Sequence, residues 1–124
     1  MTKVLIAEDN AVNRELLREL LEARGYTVEE ACDGREALRM IEQMEPDLLL
    51  LDIGMPVLDG YGVVRELRQN PRFAALPTLA VTAYAMQGDR EKILSSGFDG
   101  YLSKPLNAQA LTEALDRISS KKEA

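Results

Sequence analysis

Four places in this 124-residue chain put polar side chains directly after apolar runs. Glu8-Asp9 follows Lys3-Val-Leu-Ile-Ala7, Asp52 follows Leu48-Leu-Leu-Leu51, Thr82 follows Thr78-Leu-Ala-Val81, and Lys104-Pro105 comes soon after Gly100-Tyr-Leu102. If the runs are parallel strands, the polar groups meet at one edge. Three carboxylates in one crevice raise each other's pKa or repel, and a hard divalent cation offsets their charge. Mg²⁺ suits such a set: it takes one or two carboxylates, keeps waters and accepts phosphate oxygens. A hydroxyl and a single ammonium beside that cation are what a transferring phosphoryl group requires. The chemistry suggested is nucleophilic attack by a carboxylate on phosphorus.

Singly, each residue has a plainer role. Asp9 or Asn10 can cap a helix, Asp52 can open a turn before Gly54 and Pro56, Thr82 can close a strand, and Lys104 can be solvated. What the plainer account lacks is a reason for all of them to fall at four strand ends on one side.

The elements that must position them alternate regularly. A helical pattern runs from about Ala11 to Arg24, with Val12, Leu16, Leu17, Leu20 and Leu21 as its apolar stripe and Gly25 as its stop. The second strand is Thr27 to Ala31. Asp33 and Glu36 form a capping-box pair for a helix carrying Ala37, Leu38, Ile41 and Met44, which Pro46 ends. Leu48 to Asp52 is apolar without alternation, as a central parallel strand covered on both faces should be. Helices follow at about Tyr61–Gln69, Gly88–Ser95 and Asn107–Ser119, with a fourth strand at Thr78–Val81 and a short fifth at Gly100–Leu102. Strict β-α alternation predicts an α/β fold, a parallel sheet with helices on both faces. Five strands fit the flavodoxin-like order 2-1-3-4-5, adopted here from flavodoxin and the chemotaxis receiver that shares it. In that order the ligand crevice lies between the first and third strands.

Composition narrows the function. The chain is 46% hydrophobic and 29% charged, the profile of one ordinary globular domain. A net charge of −6 argues against a nucleic-acid footprint. No apolar run is long enough to span a membrane, and no signal-peptide pattern opens the chain. Cys32 is the only cysteine, so a reducing compartment, the cytoplasm, is expected. The chain has no histidine, which removes the commonest general base and any Ser-His-Asp or Cys-His chemistry.

Over nearly its whole length the chain resembles the receiver domains of bacterial two-component response regulators. The resemblance is carried by Glu8-Asp9, Asp52-Ile-Gly-Met-Pro56, Asp59-Gly60, Thr82-Ala83 and Tyr101-Leu-Ser-Lys104-Pro105. The stretch Thr82-Ala-Tyr-Ala-Met-Gln-Gly-Asp89 is similar to single-domain receivers of the DivK type and to receiver modules of hybrid histidine kinases. The resemblance implies that Asp52 takes a phosphoryl group from a phosphohistidine of a histidine kinase or histidine phosphotransfer protein. It implies that Glu8, Asp9, Asp52 and the carbonyl of Gly54 hold Mg²⁺ or Mn²⁺, and that Thr82, Ala83 and Lys104 contact the phosphoryl oxygens. Thr82 and Tyr101 would act as the switch, the Lys104-Pro105 bond would be cis, and Gly54 and Tyr84 would tune dephosphorylation, with Tyr84 screening the phosphoryl from water.

A single receiver domain over residues 1–124 without an output domain is therefore expected, as a monomer or weak dimer. It would act as a stand-alone regulator through the face built by its fourth helix, fifth strand and fifth helix, around Arg90, Glu91 and Lys92. The alternative is a receiver module from a hybrid histidine kinase or a larger regulator. Phosphodonors would dock near Asn13, Arg14 and Pro105-Leu106. The absence of histidine means that the donor histidine lies on another protein. A Mg²⁺-dependent aspartyl phosphatase is a remoter reading, since Gly54 stands where such enzymes carry a second aspartate. A flavin module is disfavoured because Glu8-Asp9-Asn10 would repel its phosphate.

Overall fold

Strands with no polar alternation must be covered on both faces, and that requirement builds the molecule. The computed structural model describes residues 2–83 and 87–123, with backbone alone for residues 87 and 119–123. Elements alternate as β1 (Lys3–Ala7), α1 (Ala11–Glu22), β2 (Thr27–Ala31), α2 (Gly34–Met44), β3 (Leu48–Asp52), α3 (Gly60–Gln69), β4 (Thr78–Thr82), α4 (Gln87–Ser95), β5 (Gly100–Ser103) and α5 (Ala108–Glu123). All strand pairs are parallel, in the order β2-β1-β3-β4-β5, so the expected fold and switch point between β1 and β3 are found.

The two-residue period of the strands divides the core in two. Leu5, Ala7, Leu49 and Leu51 pack with Ala37, Ile41, Val63, Val64, Leu67 and Ile93, under α2, α3 and α4. Val4, Ile6, Leu48 and Leu50 pack with Leu17, Leu21, Leu111, Ala114, Leu115 and Ile118, under α1 and α5. Every residue of β3 is buried.

Several boundaries differ from the sequence reading. Helix α1 stops at Glu22 rather than Arg24, and Gly25, at φ +88°, turns the chain three residues later. Val12 is 73% exposed and not part of the core stripe, because at 3.6 residues per turn it lies about 140° and about 180° around α1 from the buried Leu17 and Leu21. Strand β5 runs one residue further, to Ser103, because it pairs in register with Thr82. Helix α5 begins at Ala108, with Asn107 accepting a hydrogen bond from the Ala110 N–H at 2.8 Å as its cap, and extends to Glu123.

Two close approaches fix the loops above the sheet. A Cβ at Gly60 would meet Asp52 O and Ile53 Cα, both at 2.8 Å, and a Cβ at Gly34 would collide with the backbone carbonyl of Leu58. Between them, Leu58 N–H donates to Pro56 O at 2.8 Å, closing a three-residue turn around Val57, whose φ is +71°. A β-branched residue in that region is strained.

Candidate functional site

Register brings the acidic residues together. Ala7 pairs with Leu51, so the next residues along, Glu8 and Asp52, lie at the same level of the sheet and on the same side of it. The Glu8 N–H continues the ladder to Ala31 O at 3.1 Å. Glu8 is fully buried and Asp52 is 5% exposed, while Asp9 is exposed. One carboxylate oxygen from each of Glu8, Asp9 and Asp52 lies within 4.8 Å of the others.

Lys104 reaches the same point from the other side. Its backbone N–H donates to Thr82 O at 2.8 Å, and its Nζ stands 3.1 Å from Glu8 Oε1 and 3.2 Å from Asp52 Oδ2. The Lys104–Pro105 peptide bond is cis. The start of β5 is anchored by Asp99: its N–H donates to Thr78 O, and its Oδ2 accepts from Thr78 N–H at 2.8 Å and from Arg68 at 3.2 Å. Asp52 is therefore held on both oxygens, Oδ2 by the ammonium and Oδ1 by the Gly54 N–H at 3.0 Å.

Electrostatics divide the two buried carboxyls. Burial, hydrogen bonding with Asp52 and repulsion from its charge push Glu8 up from 4.5 to about 7, against the pull of Lys104. Burial also works to raise Asp52, but hydrogen bonds from Glu8 and the Gly54 N–H, with the charge of Lys104, outweigh it and hold Asp52 below the usual range. For Lys104 burial favours the neutral amine, yet Glu8 and Asp52 keep its pKa raised. The pair thus places its proton on Glu8 and leaves Asp52 an anion.

The donor set is oxygen throughout, which suits a hard divalent cation. Glu8 Oε1 supports that fit: it is buried and, although close to Lys104 Nζ, has no hydrogen-bond partner of proper geometry. The single ammonium of Lys104 does not offset three carboxylates, and a divalent cation would supply the missing positive charge.

Thr82 is 4% exposed at the end of β4, followed by the exposed Ala83. Tyr101 is half-buried on β5, with the Arg90 guanidinium carbon 5.9 Å from its ring centroid. Of the α4 residues expected on a solvated face, Arg90, Glu91 and Lys92 are all exposed, and Lys92 also stands over the Tyr61 ring at 4.7 Å. Tyr84 lies outside the described residues.

Sequence reading named Arg14 only beside a docking surface for phosphodonors and missed its contact with the acidic loop. Arg14 turns inward from α1 and donates to the backbone carbonyls of Glu8 at 2.9 Å and Asp9 at 3.2 Å. The only sequence signal is its position one helical turn after Asn10, the cap of α1.

Residues 4–116 match the family model described as response regulator receiver domain. The polar-differentiation response regulator DivK of Brucella ovis is 40% identical over 116 residues, covering 93% of this chain and 94% of that protein. Among solved structures, the receiver domain of sensor histidine kinase PA1611 from Pseudomonas aeruginosa, with magnesium coordinated in its active-site cleft, is 38% identical. Its TM-score is 0.85, over 95% of this chain and 98% of that one. Chemotaxis response regulator CheY4 of Vibrio cholerae is 32% identical with a TM-score of 0.89, over 95% and 98% of the two chains.

Proposed function

Because this chain belongs to the family of response regulator receiver domains, we propose that Asp52 is its phosphoryl acceptor and that a phosphohistidine on a histidine kinase or histidine phosphotransfer protein is the donor. The observation that carries this reading is one buried, ionised carboxylate held on Oδ1 by the Gly54 N–H and on Oδ2 by Lys104. Oδ2 is the nucleophile, since the ammonium beside it can take up the charge of the arriving phosphoryl group. The P–O bond to Oδ2 forms as the P–N bond to the histidine breaks, and the electron pair of that bond returns to the ring nitrogen. With no histidine among its 124 residues, this chain does not supply the donor.

Glu8, Asp9, Asp52 and the Gly54 carbonyl would hold Mg²⁺ or Mn²⁺, which supplies positive charge opposite the phosphoryl oxygens. Thr82 and the Ala83 N–H would bind the remaining oxygens. Gly54 leaves the space beyond Asp52 free of a side chain, and with Tyr84 it would set how fast water removes the phosphoryl group. Any catalysis is confined to the domain's own phosphotransfer and dephosphorylation.

Phosphorylation would draw Thr82 and Lys104 toward the new group, Tyr101 would turn inward, and the face of α4, β5 and α5 would change shape for a downstream protein. Supporting this, Tyr101 lines a cavity of about 190 Å³ on that face with Leu79, Leu94, Ala114 and Arg117. Residues 1–124 act in this reading as one receiver domain in the cytoplasm, monomeric or weakly dimeric. Among the described residues no helix is long and apolar enough to cross a membrane.

Phosphotransfer from a panel of phosphorylated histidine kinases and phosphotransfer proteins tests the reading. Labelling that requires Mg²⁺, is lost on chelation and is lost in Asp52→Asn supports it. Labelling that persists in Asp52→Asn overturns it.

A further inference from the structure

We infer that Arg14, oriented by Glu30, is a positioning residue that fixes the backbone of the acidic loop so that Glu8 and Asp9 present their carboxylates to a divalent cation. The inference rests on reading Glu8, Asp9 and Asp52 as the metal site.

The loop has a physical difficulty. Three carboxylates within 4.8 Å repel, and two of them, Glu8 and Asp9, sit on the short connection between β1 and α1. A free loop would relieve the repulsion by turning them apart. This one is pinned at successive backbone groups. The Glu8 N–H is tied to β2 through Ala31 O, and Asn10 O accepts from the Arg14 N–H at 3.0 Å. The carbonyls between those points, of Glu8 and Asp9, both accept from one guanidinium nitrogen, Nη1 of Arg14.

A long side chain makes such bonds only if its own direction is set. Arg14 Nε is paired with Glu30 Oε1 at 3.1 Å, on the adjacent strand β2. Glu30 Oε2 is in turn held by Arg18 Nε at 2.5 Å, and Arg18 also pairs with Glu22 at 3.2 Å. The Arg14 side chain is only 19% exposed. A planar guanidinium can pair through Nε while Nη1 serves the loop, which an ammonium cannot do with one nitrogen. Arg18 shares the Glu30 carboxylate but does not touch the loop, so it stands one step further from the ligands than Glu30 does.

Isothermal titration of Mg²⁺ into wild type, Arg14→Gln, Arg14→Lys, Glu30→Gln and Arg18→Gln, with the thermal midpoint of each, tests this. Partners that orient metal ligands are worth about 10- to 100-fold in affinity. Arg14→Gln should therefore weaken Mg²⁺ binding by about tenfold or more, with smaller losses in Glu30→Gln and Arg14→Lys, and the smallest in Arg18→Gln, which leaves the Arg14–Glu30 pair and both loop bonds in place. If Arg14→Gln does not fold, Glu30→Gln and Arg14→Lys decide by the same criterion. Wild-type affinity in the Arg14 and Glu30 variants overturns the inference, as does an equal loss in Arg18→Gln, which would reduce the network to anchoring the helix. Wild type that binds no Mg²⁺ overturns the metal reading itself; wild type that binds normally alongside unaffected variants overturns only the role of Arg14.

Discussion

Replacing Glu8 by glutamine should make the metal-free protein more stable at neutral pH and leave it nearly unchanged in acid. The native carboxyl of Glu8 titrates at about 7 against an ordinary value of 4.5. Below 4.5 both folded and unfolded chains carry the proton, and Glu8 costs nothing. Between 4.5 and about 7 the unfolded chain has ionised this group while the native site keeps its proton. The native state then binds more protons, so stability falls as pH rises. At about 1.4 kcal/mol per pKa unit the full loss is on the order of 3 kcal/mol, complete above pH 7. Asp52, whose pKa is lowered from 3.8, and Lys104, whose pKa is raised from 10.5, titrate outside this window. Glutamine resembles the protonated acid and carries no such loss. Urea unfolding of both proteins in chelator, from pH 4 to pH 8, should show their stability difference growing by about 3 kcal/mol in favour of the variant. Added Mg²⁺ at pH 8 should recover part of it for wild type alone, because the ionised Glu8 then has its cation. Two curves that stay parallel across the window would refute the reasoning.

Glycines flanking the acceptor should respond in opposite ways. Gly60→Ala should lose about 1–3 kcal/mol in chemical unfolding, since its Cβ would press on the backbone of Asp52 and Ile53. At Gly54 the nearest atom to a Cβ is Asp52 Oδ1 at 3.8 Å. Gly54→Leu should therefore fold normally and lengthen the acyl-phosphate half-life by covering Asp52; a half-life equal to wild type would remove Gly54 from the control of hydrolysis. Val57 is 77% exposed at φ +71°, a conformation that costs about 1–3 kcal/mol in a residue with a Cβ. Val57→Gly should raise the unfolding midpoint, for a net gain of about 1 kcal/mol after the added freedom of glycine in the unfolded chain.

The strands and the acidic site were legible in sequence because both depend on local facts. Leu48 to Leu51 has no polar residue to place on a surface, so β3 had to be central, and Asp52 at its end had to lie at the edge where β1 also ends. Contacts that depend on how separate segments meet left no such trace. Its place one turn after the Asn10 cap marks Arg14 as near the site, but residue type and helical position do not reveal that its guanidinium turns inward to two carbonyls while that of Arg39 is exposed on α2. The stripe read for α1 includes Val12, yet Val12 stands five and nine residues before the buried Leu17 and Leu21, which turns it to the opposite, solvent side of the helix. Gly34 and Gly60 each follow a capping aspartate, Asp33 and Asp59, and nothing local shows that each is a close approach of two backbones. Val57 stands in a turn where glycine would be expected, and a single sequence gives no sign of it.

The most direct measurement is the identity of the phosphorylated residue. After phosphotransfer from a phosphorylated histidine kinase in Mg²⁺, borohydride reduction converts an aspartyl phosphate to homoserine, which peptide mass spectrometry locates. The account predicts homoserine at position 52 and at no other aspartate, with none formed in Asp52→Asn. Homoserine at Asp9 or another aspartate of wild type, or a phosphorylated chain without homoserine, would contradict it.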